Sequence, residues 1–118
     1  MFAHTPDDLA TREQLLSMSG LEFMKATRDG LLPQPPIAEA LNYRLTEVGD
    51  GRVVFAGVPL FAHCNPMGGV HGGWYGTLLD SCMACAVMTK VPRGSVYTTL
   101  EFMWNRFSHW SLPVGCQN

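Results

Sequence analysis

Between Trp74 and Met88 the chain runs through apolar residues with a single carboxylate, Asp80, in their midst. That run is the strongest constraint on the fold. It falls short of the roughly 20 residues needed to cross a bilayer, and its apolar side chains sit on every face of a helix rather than on one stripe. A surface helix would carry a polar face, so the run is predicted to be a buried helix that the rest of the chain must wrap.

The material for that wrapping lies on either side. The 118 residues suffice for one domain with one core, and 47% hydrophobic against 15% charged residues marks a globular chain. We divide it into an N-terminal helical segment (1–42), a section of hairpin, central helix and following strand (43–104), and a tail (105–118). Thr11-Arg12-Glu13-Gln14 and Ser19-Gly20-Leu21-Glu22 both fit the capping box, in which a hydroxyl and a Glu or Gln three residues later satisfy the first helical N–H groups. Asp29-Gly30 supplies a stop, and Pro36 is placed to open a short turn through Leu41. Tyr43–Val48 and Arg52–Val58, joined by Gly49-Asp50-Gly51, are predicted to form an antiparallel hairpin. A Gly- and Pro-containing loop from Phe61 to Gly73 leads into the helix, and Ser95–Trp104 reads as a further strand.

Charge and cysteine usage exclude several functions. Eight basic against ten acidic residues leave a net charge of −2, with no Lys/Arg cluster to bind a phosphate backbone, so no nucleic-acid partner is expected. The first residues lack the basic and apolar segments of a signal peptide, which makes a cytoplasmic location without membrane attachment the expectation. Cysteines at 64, 82, 85 and 116 form no matched pairs, and His63, Cys64 and His71 fit no standard metal spacing. No metal or other cofactor is expected.

Three features carry chemistry. A carboxylate in an apolar helix costs several kcal/mol unless it is paired, hydrogen-bonded or protonated, and such a setting can raise its pKa into the range of a general base. Asp80 therefore suits catalysis, although capping a neighbouring loop or facing a subunit boundary would also account for it. His71-Gly72-Gly73 stands where the helix begins, where unpaired N–H groups carry partial positive charge and glycine admits close approach; that is what a carbonyl becoming an oxyanion requires. Asn65 offers a side-chain amide from the same loop, although Asn-Pro is ordinary turn chemistry.

The order Asn65-Pro66-Met67-Gly68-Gly69-Val70-His71-Gly72-Gly73-Trp74-Tyr75-Gly76-Thr77-Leu78-Leu79-Asp80-Ser81, followed by Tyr97-Thr98-Thr99-Leu100-Glu101-Phe102, resembles the phenylacetate-pathway (PaaI-like) hotdog thioesterases. The likeness extends upstream through Gly20-Leu21-Glu22-Phe23 and Arg52-Val53-Val54-Phe55. It implies an α+β hotdog fold, an antiparallel sheet wrapped around a central helix, assembled as a homodimer or homotetramer with active sites at the dimer boundary. It further implies hydrolysis of an acyl- or aryl-CoA thioester. Asp80 would act as base or nucleophile, the Gly72 N–H and Asn65 would polarise the carbonyl, and His71 would position the group. A hydroxyl on the next strand, Thr99 or alternatively Thr98, would orient water, and CoA would enter only as part of the substrate.

The tail departs from that pattern. Relatives continue into three more strands, whereas Asn105–Asn118 mixes Trp, His, Pro and Cys without alternation, so the sheet is expected to lack its last strands. Three other readings follow: a non-catalytic acyl-CoA-binding module, hydratase or dehydratase chemistry led by His71, and an inactive truncated product.

Overall fold

The computed structural model describes residues 1–101; the tail and the end of the Ser95–Trp104 run lie outside the described residues. In chain order the elements are α1 (Arg12–Ser17), α2 (Gly20–Arg28), α3 (Pro36–Ala40), β1 (Tyr43–Gly49), β2 (Arg52–Gly57) and α4 (Gly72–Met88). Short 3-10 turns cover Pro6–Asp8 and Phe61–His63. The architecture is α+β and hotdog-like, with an antiparallel sheet laid against one long helix.

Local chemistry explains each boundary. Thr11 Oγ1 accepts from the Gln14 N–H at 3.1 Å while Gln14 Oε1 accepts from the Thr11 N–H at 2.8 Å, so the first capping box closes in both directions. The second closes in one only: Ser19 Oγ accepts from the Glu22 N–H at 3.2 Å, and the Glu22 carboxylate instead pairs with Arg93 at 3.2 Å. Gly30, at φ 80°, ends α2 in a Schellman arrangement, with Leu31 N–H donating to Ala26 O and Gly30 N–H to Thr27 O. Pro36 opens α3 at its first position, where a missing N–H costs nothing.

In the hairpin, Tyr43 faces Gly57 and Gly49 faces Arg52, with a bulge between Leu45 and Glu47. The bulged Thr46 returns its hydroxyl to Val54 O at 3.1 Å. Tyr43 and Leu45 are buried, and Tyr43 meets Phe55 edge-on at 5.8 Å. On the other edge of β1, the buried side chain of Gln34 imitates a strand: its Oε1 accepts from Leu45 N–H at 2.9 Å. Met24, Leu32, Ala38, Tyr43, Leu45 and Trp74 form the core between α2, the hairpin and α4.

Helix α4 is anchored at both ends. Trp74 is buried and its Nε1–H donates to Leu41 O at 2.7 Å, Tyr43 OH meets Ser81 Oγ at 2.9 Å, and Thr89 Oγ1 accepts from the Gly51 N–H of the hairpin turn at 2.8 Å. Gly20 brings the start of α2 onto the end of α4, its N–H donating to Val91 O at 2.8 Å. The expected complete wrapping is not realised among the described residues. Leu79, Met83 and Val87, spaced four apart, are 40%, 43% and 53% exposed and form an apolar stripe on the far side. The reason is width: two strands span roughly 10 Å, about the diameter of one helix, and cover one side of it.

The third predicted strand is also corrected, for residues 95–101. After the Arg93-Gly94 turn the chain runs beside α4, where the Tyr97 hydroxyl donates to Ala84 O, but it joins no sheet. β-branched composition favours a pleated, half-buried surface, and a strand forms only where an edge is offered to it. Among the described residues no helix is long and apolar enough to cross a membrane.

Candidate functional site

The loop before α4 is pinned by hydrogen bonds along its length. The buried His63 accepts from Leu60 N–H at its Nδ1 (2.9 Å), so its Nε2 carries the proton and donates to Ala40 O at 2.7 Å; both ring nitrogens serve the fold. His71 N–H donates to His63 O at 2.8 Å, and Cys64 bridges Val70. Between them Asn65 Oδ1 accepts from the Met67 and Gly69 N–H groups at 3.0 and 3.1 Å, closing a turn that needs Gly68 at φ 81°. With Oδ1 so engaged, the Nδ2 group is left as a donor, and it hydrogen-bonds to no described residue.

His71 is the N-cap of α4. Its Nδ1 accepts from Gly73 N–H at 2.8 Å, which fixes the neutral tautomer with the proton on Nε2 and leaves that N–H directed elsewhere. Gly72, the first helical residue, has a backbone N–H with no intrahelical acceptor, and a Cβ placed on it would meet nothing within 4 Å. An open pocket of about 340 Å³ adjoins this end of the helix, lined by His71, Gly73, Trp74, Thr77 and their neighbours. The helix start thus offers the Gly72 N–H at the positive end of the helix dipole, with the Asn65 amide and the His71 Nε2–H carried by the same loop. Donors of this kind stabilise a developing oxyanion.

Asp80 lies elsewhere. Eight residues separate it from Gly72, a rise of about 12 Å along the helix axis. It is partly exposed rather than buried, because it borders the uncovered stripe at Leu79 and Met83, so the burial cost anticipated from the sequence is not incurred. Its carboxylate forms no hydrogen bond or ion pair among the described residues. Its charge reaches three neighbours: after burial and the nearby Cys85, it helps push the Tyr97 phenol up to about 12, and after burial and Cys82 it helps push the Cys85 thiol up to about 11. Burial, and more weakly Cys85 and Asp80, also raise Tyr43 against the lowering effect of the Ser81 hydrogen bond.

One chain therefore carries Asn65 in the turn before α4 and His71 and Gly72 at the head of α4, and keeps Asp80 about two turns along the helix. Thr98 and Thr99 are exposed on the unpaired segment after α4, with no hydrogen bond to Asp80 among the described residues. The Tyr43–Ser81 pair and Tyr97, both near Asp80, were missed in the sequence. The available signal was weak: a Tyr at the start of an alternating strand and a Ser next to the carboxylate.

Residues 67–105, from the Asn65 turn through α4 to beyond the described segment, match the Thioesterase superfamily. No curated protein and no solved structure matches the chain. The matched segment contains His71, Gly72, Asp80 and Thr99, and supports chemistry of the thioester-hydrolase type.

Proposed function

We propose that this thioesterase-like chain is a PaaI-like acyl-CoA thioesterase of the cytoplasm that works as a homodimer or larger homo-oligomer. The observation carrying this reading is the pairing, on one helix, of an open donor cradle at Gly72 with an unpartnered carboxylate about 12 Å away. A reacting carbonyl needs both groups within about 3 Å, which one copy of α4 cannot provide. Two copies running antiparallel can, each lending Asp80 to the other's cradle, and the exposed Leu79, Met83 and Val87 stripe beside Asp80 offers an apolar surface for that approach.

In this arrangement the Gly72 N–H, the Asn65 amide and the His71 Nε2–H hold the thioester oxygen. As general base, Asp80 takes a proton from water whose oxygen attacks the carbonyl carbon, with Thr99 orienting that water. The oxyanion collapses, the C–S bond breaks, and the proton on Asp80 passes to the departing thiolate, giving free acid and CoA. As nucleophile, the same carboxylate would form an acyl anhydride that water then opens.

The test is hydrolysis of an acyl- and aryl-CoA panel by the chain and its Asp80→Asn variant, with solution mass measured in parallel. Turnover should fall at least about 100-fold in the variant while mass and folding are retained. Equal turnover in the two proteins would refute the reading, and tight binding without turnover in either would turn it into an acyl-CoA-binding module.

A further inference from the structure

Cys82 and Cys85 lie three residues apart on α4, both free thiols and both half-buried. Three residues turn a helix by about 300°, so the two side chains leave α4 only about 60° apart. They leave it on the side turned toward the hairpin: Cys85 shares a cavity wall with Leu45 and Phe55, and the Phe55 N–H interacts with the Cys82 sulfur. Asp80 is about 140–160° round the helix from the pair, and the Gly72 cradle is at its far end. Neither thiol takes part in the proposed hydrolysis.

Helix geometry decides what such a pair can hold. β-Carbons three residues apart on a helix are about 5–6 Å apart, whereas a disulfide needs them about 3.5–4.5 Å apart, so the pair cannot close on itself without unwinding a turn of α4. An ion in line between two sulfurs, about 2.3 Å from each, needs the sulfurs about 4.6 Å apart, a separation that staggered χ1 rotamers reach on an intact helix. Zinc and iron–sulfur clusters take four protein ligands, and among the described residues no group of three or more His, Cys, Asp or Glu side chains is placed to hold a metal ion. Two thiolates by themselves satisfy a soft cation that takes two ligands, and softness selects copper(I).

We propose that Cys82 and Cys85 form a two-coordinate site for copper(I), bridging one turn of α4 on its hairpin side. On binding, both S–H bonds break, two protons leave to solvent, two S–Cu bonds form and copper stays at +1, so no oxidant or reductant is consumed. Before the ion binds the thiols are protonated and poor nucleophiles: burial raises Cys82, and burial with the charges of Cys82 and Asp80 holds Cys85 at about 11. The Phe55 N–H acts against burial at Cys82 and supports its thiolate once formed, as an outer-shell donor does at a metal site. The cavity of about 230 Å³ that Cys85 borders gives the ion a way in.

The test supplies copper(I) anaerobically, from a chromophoric chelator, to the full chain and to its Cys82→Ser, Cys85→Ser and Cys64→Ser/Cys116→Ser variants. The expected result is one ion bound at this pair, retained in the Cys64→Ser/Cys116→Ser chain and weakened at least about 100-fold in each of the other two, since outer-shell changes alone cost about 10–100-fold. In the unmodified chain, copper(I) should shield Cys82 and Cys85 together from alkylation mapped by mass spectrometry, a readout that does not depend on any variant folding. Zinc(II) at the same concentration should shield neither. Absence of copper transfer, shielding of one thiol without the other, or unweakened binding in folded Cys82→Ser and Cys85→Ser chains overturns the proposal. Equal shielding by zinc(II) overturns the two-coordinate assignment.

Discussion

Gly20 and Gly72 occupy the same position, the first residue of a helix, in opposite surroundings. A methyl at Gly20 would land on the Met88 carbonyl oxygen, with the Met88 carbonyl carbon 2.8 Å away and Val91 O at 3.2 Å. These are backbone atoms, so relief requires α2 to move away from the end of α4 and to loosen the 2.8 Å bond from Gly20 N–H to Val91 O. Overpacking costs about 1–3 kcal/mol and the strained hydrogen bond about 1, whereas the helix preference of alanine returns at most about 1. Gly20→Ala should thus lose about 2 kcal/mol, a fall in Tm on the order of 10 °C for a domain of this size. Gly72→Ala meets nothing within 4 Å and should stay within about 0.5 kcal/mol of the parent. Its turnover should nonetheless drop about tenfold or more, because the methyl stands where a carbonyl must approach the N–H. Urea denaturation with a common m-value and acyl-CoA hydrolysis measure the two effects separately. Parental stability in Gly20→Ala, or unfolding in Gly72→Ala, would refute the packing argument.

Two further outcomes follow from buried groups. Gln34→Leu removes the partner of the Leu45 N–H on an edge of β1, and should cost about 1–3 kcal/mol in urea denaturation, with the hairpin amides losing hydrogen-exchange protection. Burial, with the charges of Cys82 and Asp80, holds the Cys85 thiol at about 11, above its ordinary 9.0; the neutral thiol's contribution is therefore complete below pH 9 and is lost as pH rises toward 11. A pH series of urea midpoints should show a decline of ~2 kcal/mol over that window that is absent in Cys85→Val.

What the sequence reveals depends on how local the cause is. Capping at Thr11 and Ser19, the Gly30 stop, the Pro36 start and the 43–57 hairpin are set by residues within a few positions of one another, and all appear as anticipated. The same holds for His71 and Gly72 at the head of α4. Burial of α4 is a non-local property. Its composition calls for cover on all sides, but how much cover arrives depends on sheet width, which no window of sequence contains. The setting of Asp80 departs from expectation for that reason, and Ser95–Trp104 reads as a strand on propensity although its described part, residues 95–101, joins no edge. Gln34 acts as a surrogate strand through a contact eleven residues away and carries no local signature.

In the proposed mechanism, the roughly 12 Å between cradle and carboxylate makes the working unit a product of encounter. Turnover per chain should decline on dilution, so the amount of chain a cell makes would itself set the activity. The same geometry lets two defective chains rescue each other: an Asp80→Asn chain keeps its cradle, a Gly72→Pro chain keeps its carboxylate, and the mixed pair holds one intact site. Mixing the two inert proteins should restore turnover that neither shows alone, and continued silence in a confirmed mixed dimer would place both halves of the chemistry back within a single subunit.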